Sequence, residues 1–188
     1  MSPTRASDGV GAHLAGAYLR AMGWRVEGSG PDIPRAVVVA APHTSNWDLV
    51  FTLAIAATLG IRVSWMGKHT LFRPPFGRLM RAVGGLPVDR RASHGAVEAA
   101  VELLTSHDRL FLIISPEGTR GRSERWKTGF YRIAQGAGVP IVLGFLDYGR
   151  KVGGLGKVFV PTGDVEKDME EIRVFYAPIR GKREDRKQ

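Results

Sequence analysis

Apolar residues fall along this chain in two patterns, short unbroken runs and longer stretches at helical spacing, and the two alternate. The run Ala36-Val37-Val38-Val39-Ala40-Ala41 is β-branched and uninterrupted, as a buried parallel strand would be. Leu49 to Ala57 is rich in Ala and Leu and long enough for a buried helix. Arg62 to Gly67 reads as the next strand, and Leu71 to Gly77, with two prolines, breaks the chain. A short amphipathic helix follows through Arg78, Leu79, Met80, Arg81 and Val83, and Gly84 to Arg91 reads as a strand ending in two arginines. Ser93 is placed to cap a helix that carries Val97, Ala100, Val101 and Leu104 on one face. Arg109 to Ser115 is the strongest buried strand, Thr128 to Gly136 a helix, and Pro140 to Leu146 another strand.

The two ends are less regular. Residues 1–9 and the charged tail 180–188 are expected to be disordered or solvated, leaving 10–179 as the folded unit. Val10 to Trp24 shows helical spacing in Leu14, Ala17, Tyr18, Ala21 and Met22, with Gly23 ending it. It is either an interfacial helix with Trp24 at headgroup level or an ordinary helix packed on the core. Glu27 to Pro31 reads as a turn, Gly153-Gly154-Leu155-Gly156 as a hairpin turn before a strand at Lys157 to Val160, and Asp164 to Val174 as a charged, exposed helix. With no repeat and no linker, the expected fold is a single α/β domain with a mostly parallel central sheet flanked by helices.

Composition narrows the chemistry. The 188 residues are 44% hydrophobic, enough for a real core. The chain has no cysteine, which removes disulfides, thiolate nucleophiles and Cys-ligated metals. A formal charge of +9 and a pI near 10.3 bias it toward anionic partners, whether nucleic acid, phosphorylated metabolites or an anionic lipid surface. No signal pattern opens the chain, and its longest apolar run, Leu49 to Ile61, is too short to span a bilayer.

Candidate chemistry collects where strands are expected to end. Pro42-His43-Thr44-Ser45-Asn46-Trp47-Asp48 joins the first buried strand to its helix, and ligand sites in open α/β sheets gather at such junctions. Five residues apart on one helix, His43 and Asp48 would point about 140° from each other. They meet only if His43 is on the loop and Asp48 in the first helical turn, with Ser45 or Asn46 as the cap. The carboxylate then fixes the imidazole's tautomer and leaves its second nitrogen as a base. On these two positions alone the alternative stands equally: a turn histidine and a helix-start aspartate. Lys68 and the stretch Pro116-Glu117-Gly118-Thr119-Arg120 also fall at strand ends, followed by the basic loop of Arg122, Arg125 and Lys127. Phe72, Phe76, Leu79 and Met80 beside Arg73, Arg78 and Arg81 suit an acyl chain with a phosphate, a lipid surface, or a snorkelling helix over the core.

Other chemistries lack their signatures. There is no Gly-x-Ser-x-Gly elbow, so Ser45 reads as a cap rather than a nucleophile. There is no phosphate-binding Gly-x-x-x-x-Gly-Lys loop, no histidine or carboxylate spacing for a metal, and no recognisable nucleic-acid module.

Four blocks in fixed order, His43…Asp48, Pro87-Val88-Asp89-Arg90, Pro116-Glu117-Gly118-Thr119-Arg120 and Val139-Pro140-Ile141-Val142, resemble those of the glycerolipid acyltransferases typified by 1-acylglycerol-3-phosphate acyltransferases. The resemblance implies a glycerol-3-phosphate acyltransferase-like fold, with His43 and Asp48 as the catalytic dyad. It further implies that Arg90, Glu117, Gly118, Thr119 and Arg120 bind the phosphorylated acceptor. Lys68 and Lys127 join them as phosphate candidates by position and charge. The implied partners are an acyl-CoA or acyl-carrier-protein donor, an anionic lipid acceptor and a membrane surface touched peripherally from the cytoplasm, with no metal, no further cofactor and no nucleic acid. A different acceptor, or a non-catalytic membrane- or anion-binding role, is the alternative. The chain departs from the family where Pro42 replaces a frequent Asn before the histidine and Leu143 a frequent second proline. The hydrophobic N-terminal anchor of many members is expected to be one amphipathic helix at most.

Overall fold

The computed structural model describes residues 9–88, 95–117 and 126–182. In chain order its first half comprises α1 (Val10–Ala21), β1 (Arg25–Glu27), β2 (Arg35–Ala41), α2 (Trp47–Thr58), β3 (Val63–Lys68), α3 (Gly77–Ala82) and β4 (Gly85–Val88). Then come α4 (Gly95–Ser106), β5 (Leu110–Ile114), α5 (Gly129–Ala137), β6 (Ile141–Asp147), β7 (Val152–Phe159) and α6 (Val165–Tyr176). The strands form one seven-stranded sheet in the order β1-β7-β6-β2-β5-β3-β4. β2 to β6 are mutually parallel, β7 is antiparallel to β6, and β1 runs with β7. The expected α/β domain with a mostly parallel sheet is therefore the one observed.

The two faces of β2 and β6 are covered differently. Val37, Val39 and Ala41 join Ile141, Leu143 and Phe145 in a core closed by α4, α5 and α6. Ala36, Val38 and Val142 turn to the opposite face, where α2 lies and α1 packs upon it through Leu19, Trp24 and Phe51. Trp24 is buried and stacks on Phe51 at 4.4 Å, so α1 is a core-packed helix, and Trp24 does not sit at a membrane interface.

Three expectations at the chain's second half and end are corrected. Gly153 to Gly156 form no hairpin turn but lie inside β7, and Arg25–Glu27, beside the expected turn, is its parallel neighbour. A Cβ at Gly154 would stand 1.8 Å from the Glu27 carbonyl oxygen, so the glycines serve close backbone approach rather than reversal. The reversal between β6 and β7 is instead organised by Asp147, whose Oδ1 accepts from the amides of Gly149 and Arg150. Helix α6 is not simply exposed: Asp168, Met169, Ile172 and Tyr176 form a buried stripe, with the Tyr176 hydroxyl beside the carbonyls of Val39 and Gly144. Arg180 to Lys182 are not a solvated tail. The Lys182 amide donates to Thr44 Oγ1 and the Tyr148 amide to the Arg180 carbonyl, and Gly181 fits there because a Cβ would meet Thr44 at 2.7 Å. Residues 1–8, 89–94, 118–125 and 183–188, with the expected cap Ser93, lie outside the described residues.

Candidate active site

Strand β2 ends at Ala41, and the chain crosses Pro42 to Asn46 before α2 begins at Trp47. Asp48 is in the first helical turn and folds back over this loop. Its Oδ2 accepts from the amides of Thr44 and Ser45 at 2.8 Å each and lies 3.2 Å from His43 Nδ1. A carboxylate can only accept, so Nδ1 carries the proton of the neutral ring and Nε2 is left as the base. Among the described residues Nε2 has no hydrogen-bond partner. The aspartate side chain is 4% exposed and the imidazole 29%, so a sheltered carboxylate steers a ring that solutes can reach. Of the two expected caps, Asn46 holds the cap position without a side-chain bond, and Ser45, one residue before it, accepts the Trp47 amide on Oγ.

Burial alone would raise the Asp48 carboxyl pKa. The bonds from His43, from the Tyr148 hydroxyl and from the two loop amides outweigh it and hold the group below the usual carboxylate range. The Tyr148 phenol, 2.6 Å from Asp48 Oδ1, is pushed well up by burial and then by the adjacent carboxylate, so it stays a donor. Neighbouring strands finish at the same edge. Beyond β5, buried Glu117 accepts the His43 amide on Oε2 at 3.1 Å, tying the histidine loop to the next strand end.

Beneath this pair lies a cavity of about 970 Å³. One wall is a single face of α2, from Asp48 through Thr52, Ile55 and Ala56 to Leu59, roughly 16 Å of helix at 1.5 Å per residue. The opposite wall is the sheet face carrying Val38, Ala40, Ile113 and Gly144, where small side chains leave space. Trp65, Leu71 and Met80 close the flank. The lining is mostly apolar, with Thr52 on the α2 wall and Asn46, Ser115 and Lys127 among its polar residues. Ser115 Oγ is buried without a hydrogen-bond partner among the described residues.

Of the residues singled out from sequence, His43, Asp48 and Glu117 converge directly, and Lys127 is exposed at the cavity. Lys68 ends β3 with an exposed side chain and does not line the cavity. Arg90, Gly118, Thr119 and Arg120 lie outside the described residues. Tyr148 and Ser115 were not anticipated. Tyr148 follows a strand end, the one signal the sequence offered for it, and Ser115 is the last residue of the strongest apolar run.

The family model of the acyltransferases matches residues 25–142, from β1 into β6 and across the His43–Asp48 junction. The chain belongs to this acyltransferase family. Its fold is similar to the crystal structure of the 1-acyl-sn-glycerophosphate acyltransferase PlsC from Thermotoga maritima, with a TM-score of 0.64 at 18% identity, covering 89% of this chain and 77% of that one. No curated protein matches the chain. The His43–Asp48 pair thus stands at the head of a largely apolar cavity at the carboxyl ends of the strands. Among its described residues no helix is long and apolar enough to cross a membrane.

Proposed function

We propose that this acyltransferase moves a fatty acyl group from an acyl thioester, acyl-CoA or acyl-carrier protein, to a hydroxyl of a lysophospholipid or glycerol-phosphate-like acceptor. His43 is the general base and Asp48 orients it. The observation that carries this is the 3.2 Å contact from His43 Nδ1 to a buried, ionised Asp48 at the head of an apolar cavity. His43 Nε2 removes the acceptor's hydroxyl proton as its oxygen attacks the thioester carbonyl. The tetrahedral intermediate collapses with cleavage of the C–S bond, and His43 returns the proton to the leaving thiolate. No acyl-enzyme forms, consistent with a chain that has neither cysteine nor nucleophile elbow.

The acyl chain occupies the slot between α2 and the sheet. The anionic acceptor is held by Arg90, Gly118, Thr119 and Arg120, with Lys127 at the cavity and Lys68 on the same edge. Bidentate arginine contacts to a phosphate turn binding energy into orientation of the hydroxyl. Bound substrate also supplies the partner that Ser115 Oγ lacks. Exposed Leu71, which lines the cavity, and exposed Phe76 and Leu79 lie in sequence among Arg73, Arg78 and Arg81 and make a surface suited to the cytoplasmic face of an anionic membrane, from which lipid acceptors are drawn.

The test is transfer of a radiolabelled acyl group from acyl-CoA and from acyl-carrier protein to a panel of lysophospholipids, glycerol 3-phosphate and uncharged alcohols. Product with the phosphorylated acceptors supports the proposal. Product with uncharged alcohols alone would reassign the acceptor, and tight binding without any product would make the protein a non-catalytic lipid binder.

A further inference from the structure

We propose that Tyr148 is a positioning residue for the catalytic pair, holding Asp48 through its hydroxyl so that the carboxylate presents one fixed oxygen to His43. The proposal rests on the function stated above for what the pair does, and on the geometry alone for how Tyr148 holds it. The two oxygens of Asp48 have separate duties. Oδ2 receives the Thr44 and Ser45 amides and faces His43, while Oδ1 is taken by the Tyr148 hydroxyl at 2.6 Å, a length typical of a charge-assisted bond. Without that donor, Oδ1 would be a buried anionic oxygen with no partner among the described residues, and the carboxylate would be held against rotation about its terminal torsion through Oδ2 alone.

The phenol is itself fixed from several sides. Its ring meets Trp24 edge-on at 4.9 Å and Phe51 at 6.0 Å, both nearly perpendicular. Its amide donates to the Arg180 carbonyl, and the turn that carries it is organised by Asp147. The ionisable groups around it are Asp48 on α2, Tyr18 on α1 and, in the C-terminal segment, Lys182, whose Nζ is 5.9 Å from the ring centre. Among the described residues only Asp48 accepts its hydrogen bond. Tyr148 stands beyond residues 25–142, so the match to the family does not assign it a role. The contact joins residues a hundred positions apart in the chain and is made only when β6 and α2 are both in place.

A donor on the carboxylate also has an electrostatic consequence. It lowers the proton affinity of the Asp48 carboxylate. Removing it raises that affinity, and a better donor in its place lowers it. A ring that merely filled space would do neither.

The experiment compares the full-length wild type, Tyr148→Phe, and a protein with 3,5-difluorotyrosine at position 148, which keeps the ring and donates more strongly. Rates are followed with labelled acyl-CoA and a lysophosphatidic acid acceptor, and the Asp48 carboxyl is titrated by carbon-13 NMR. For Tyr148→Phe the expected result is a fall in kcat of about tenfold with KM within about twofold. The acidic limb of its pH–rate profile and the Asp48 midpoint both move to higher pH, and the fluorinated protein moves both to lower pH. A Tyr148→Phe protein with wild-type kcat, or one that loses rate while the midpoint stays still, overturns the proposal. Should the wild type show no transfer at all, the function proposed above fails. The Asp48 midpoint then still decides the hold of Tyr148: shifted in Tyr148→Phe it supports it, unmoved it refutes it.

Discussion

The two faces of strands β2 and β6 carry residues from the same short runs yet are built to opposite ends. On one face Val37, Val39, Ile141 and Leu143 are covered completely by α4, α5 and α6. On the other, Val38, Ala40 and Gly144 look across open space to α2. Alternation along a strand decides which residue goes where, and side-chain volume decides whether the space is filled. The filled face contributes stability, and the hollow face leaves room for a ligand at a cost in packing.

Substitutions on each face sharpen this contrast. Asp48→Asn, at the head of the hollow face, is expected to lower kcat by about a thousandfold or more, because an amide can hold the wrong imidazole tautomer. The fold should survive, which a thermal melt would check beside the assay. Leu143→Ala, on the filled face, should cost roughly 2–5 kcal/mol of stability through the cavity it leaves, as measured by urea denaturation. The molecules still folded should keep their specific activity. Thr52→Phe, which adds bulk midway along the slot, should cut turnover of long acyl donors about tenfold relative to short ones, with little change in stability. Equal losses for every chain length would place the acyl group elsewhere.

The smallest effects concern groups that bridge the two roles. Ser115→Ala removes a buried hydroxyl without a partner, so stability should hold or rise by about 1 kcal/mol while kcat/KM falls. The Asp48 carboxyl ionises more readily in the fold than at its ordinary value of 3.8. Its ionisation therefore contributes stability that is fully present above that value and is lost as pH falls through the lower, folded value. Denaturant midpoints of wild type and Asp48→Asn should accordingly differ most near neutrality and draw together below pH 3.8.

The parallel half of the molecule was legible because burial leaves a local trace. Continuous β-branched runs marked β2, β5 and β6, and the residues that follow them fall at one sheet edge whatever the loop details. The His43–Asp48 contact followed from spacing combined with a helix start, since both lie within one local turn. What escaped has no local trace. Gly154 looks like a turn residue and is a strand residue, because the reason for its missing side chain is the backbone of Glu27, far away in sequence. Met169, Ile172 and Tyr176 do repeat at helical spacing, but the charged residues between them mask a buried stripe. Tyr148 reaches Asp48, and Lys182 reaches Thr44 on the His43 loop, from the far end of the chain, through contacts that only the assembled sheet creates.

The central claim is that one imidazole, steered by Asp48, removes the acceptor's proton. Its most direct test is the acyl-transfer rate of His43→Ala with saturating acyl-CoA and lysophosphatidic acid, measured on protein whose melting curve overlays that of the wild type. Loss of transfer to the uncatalysed background is the predicted result. A folded His43→Ala protein that kept a substantial fraction of the wild-type rate would contradict it.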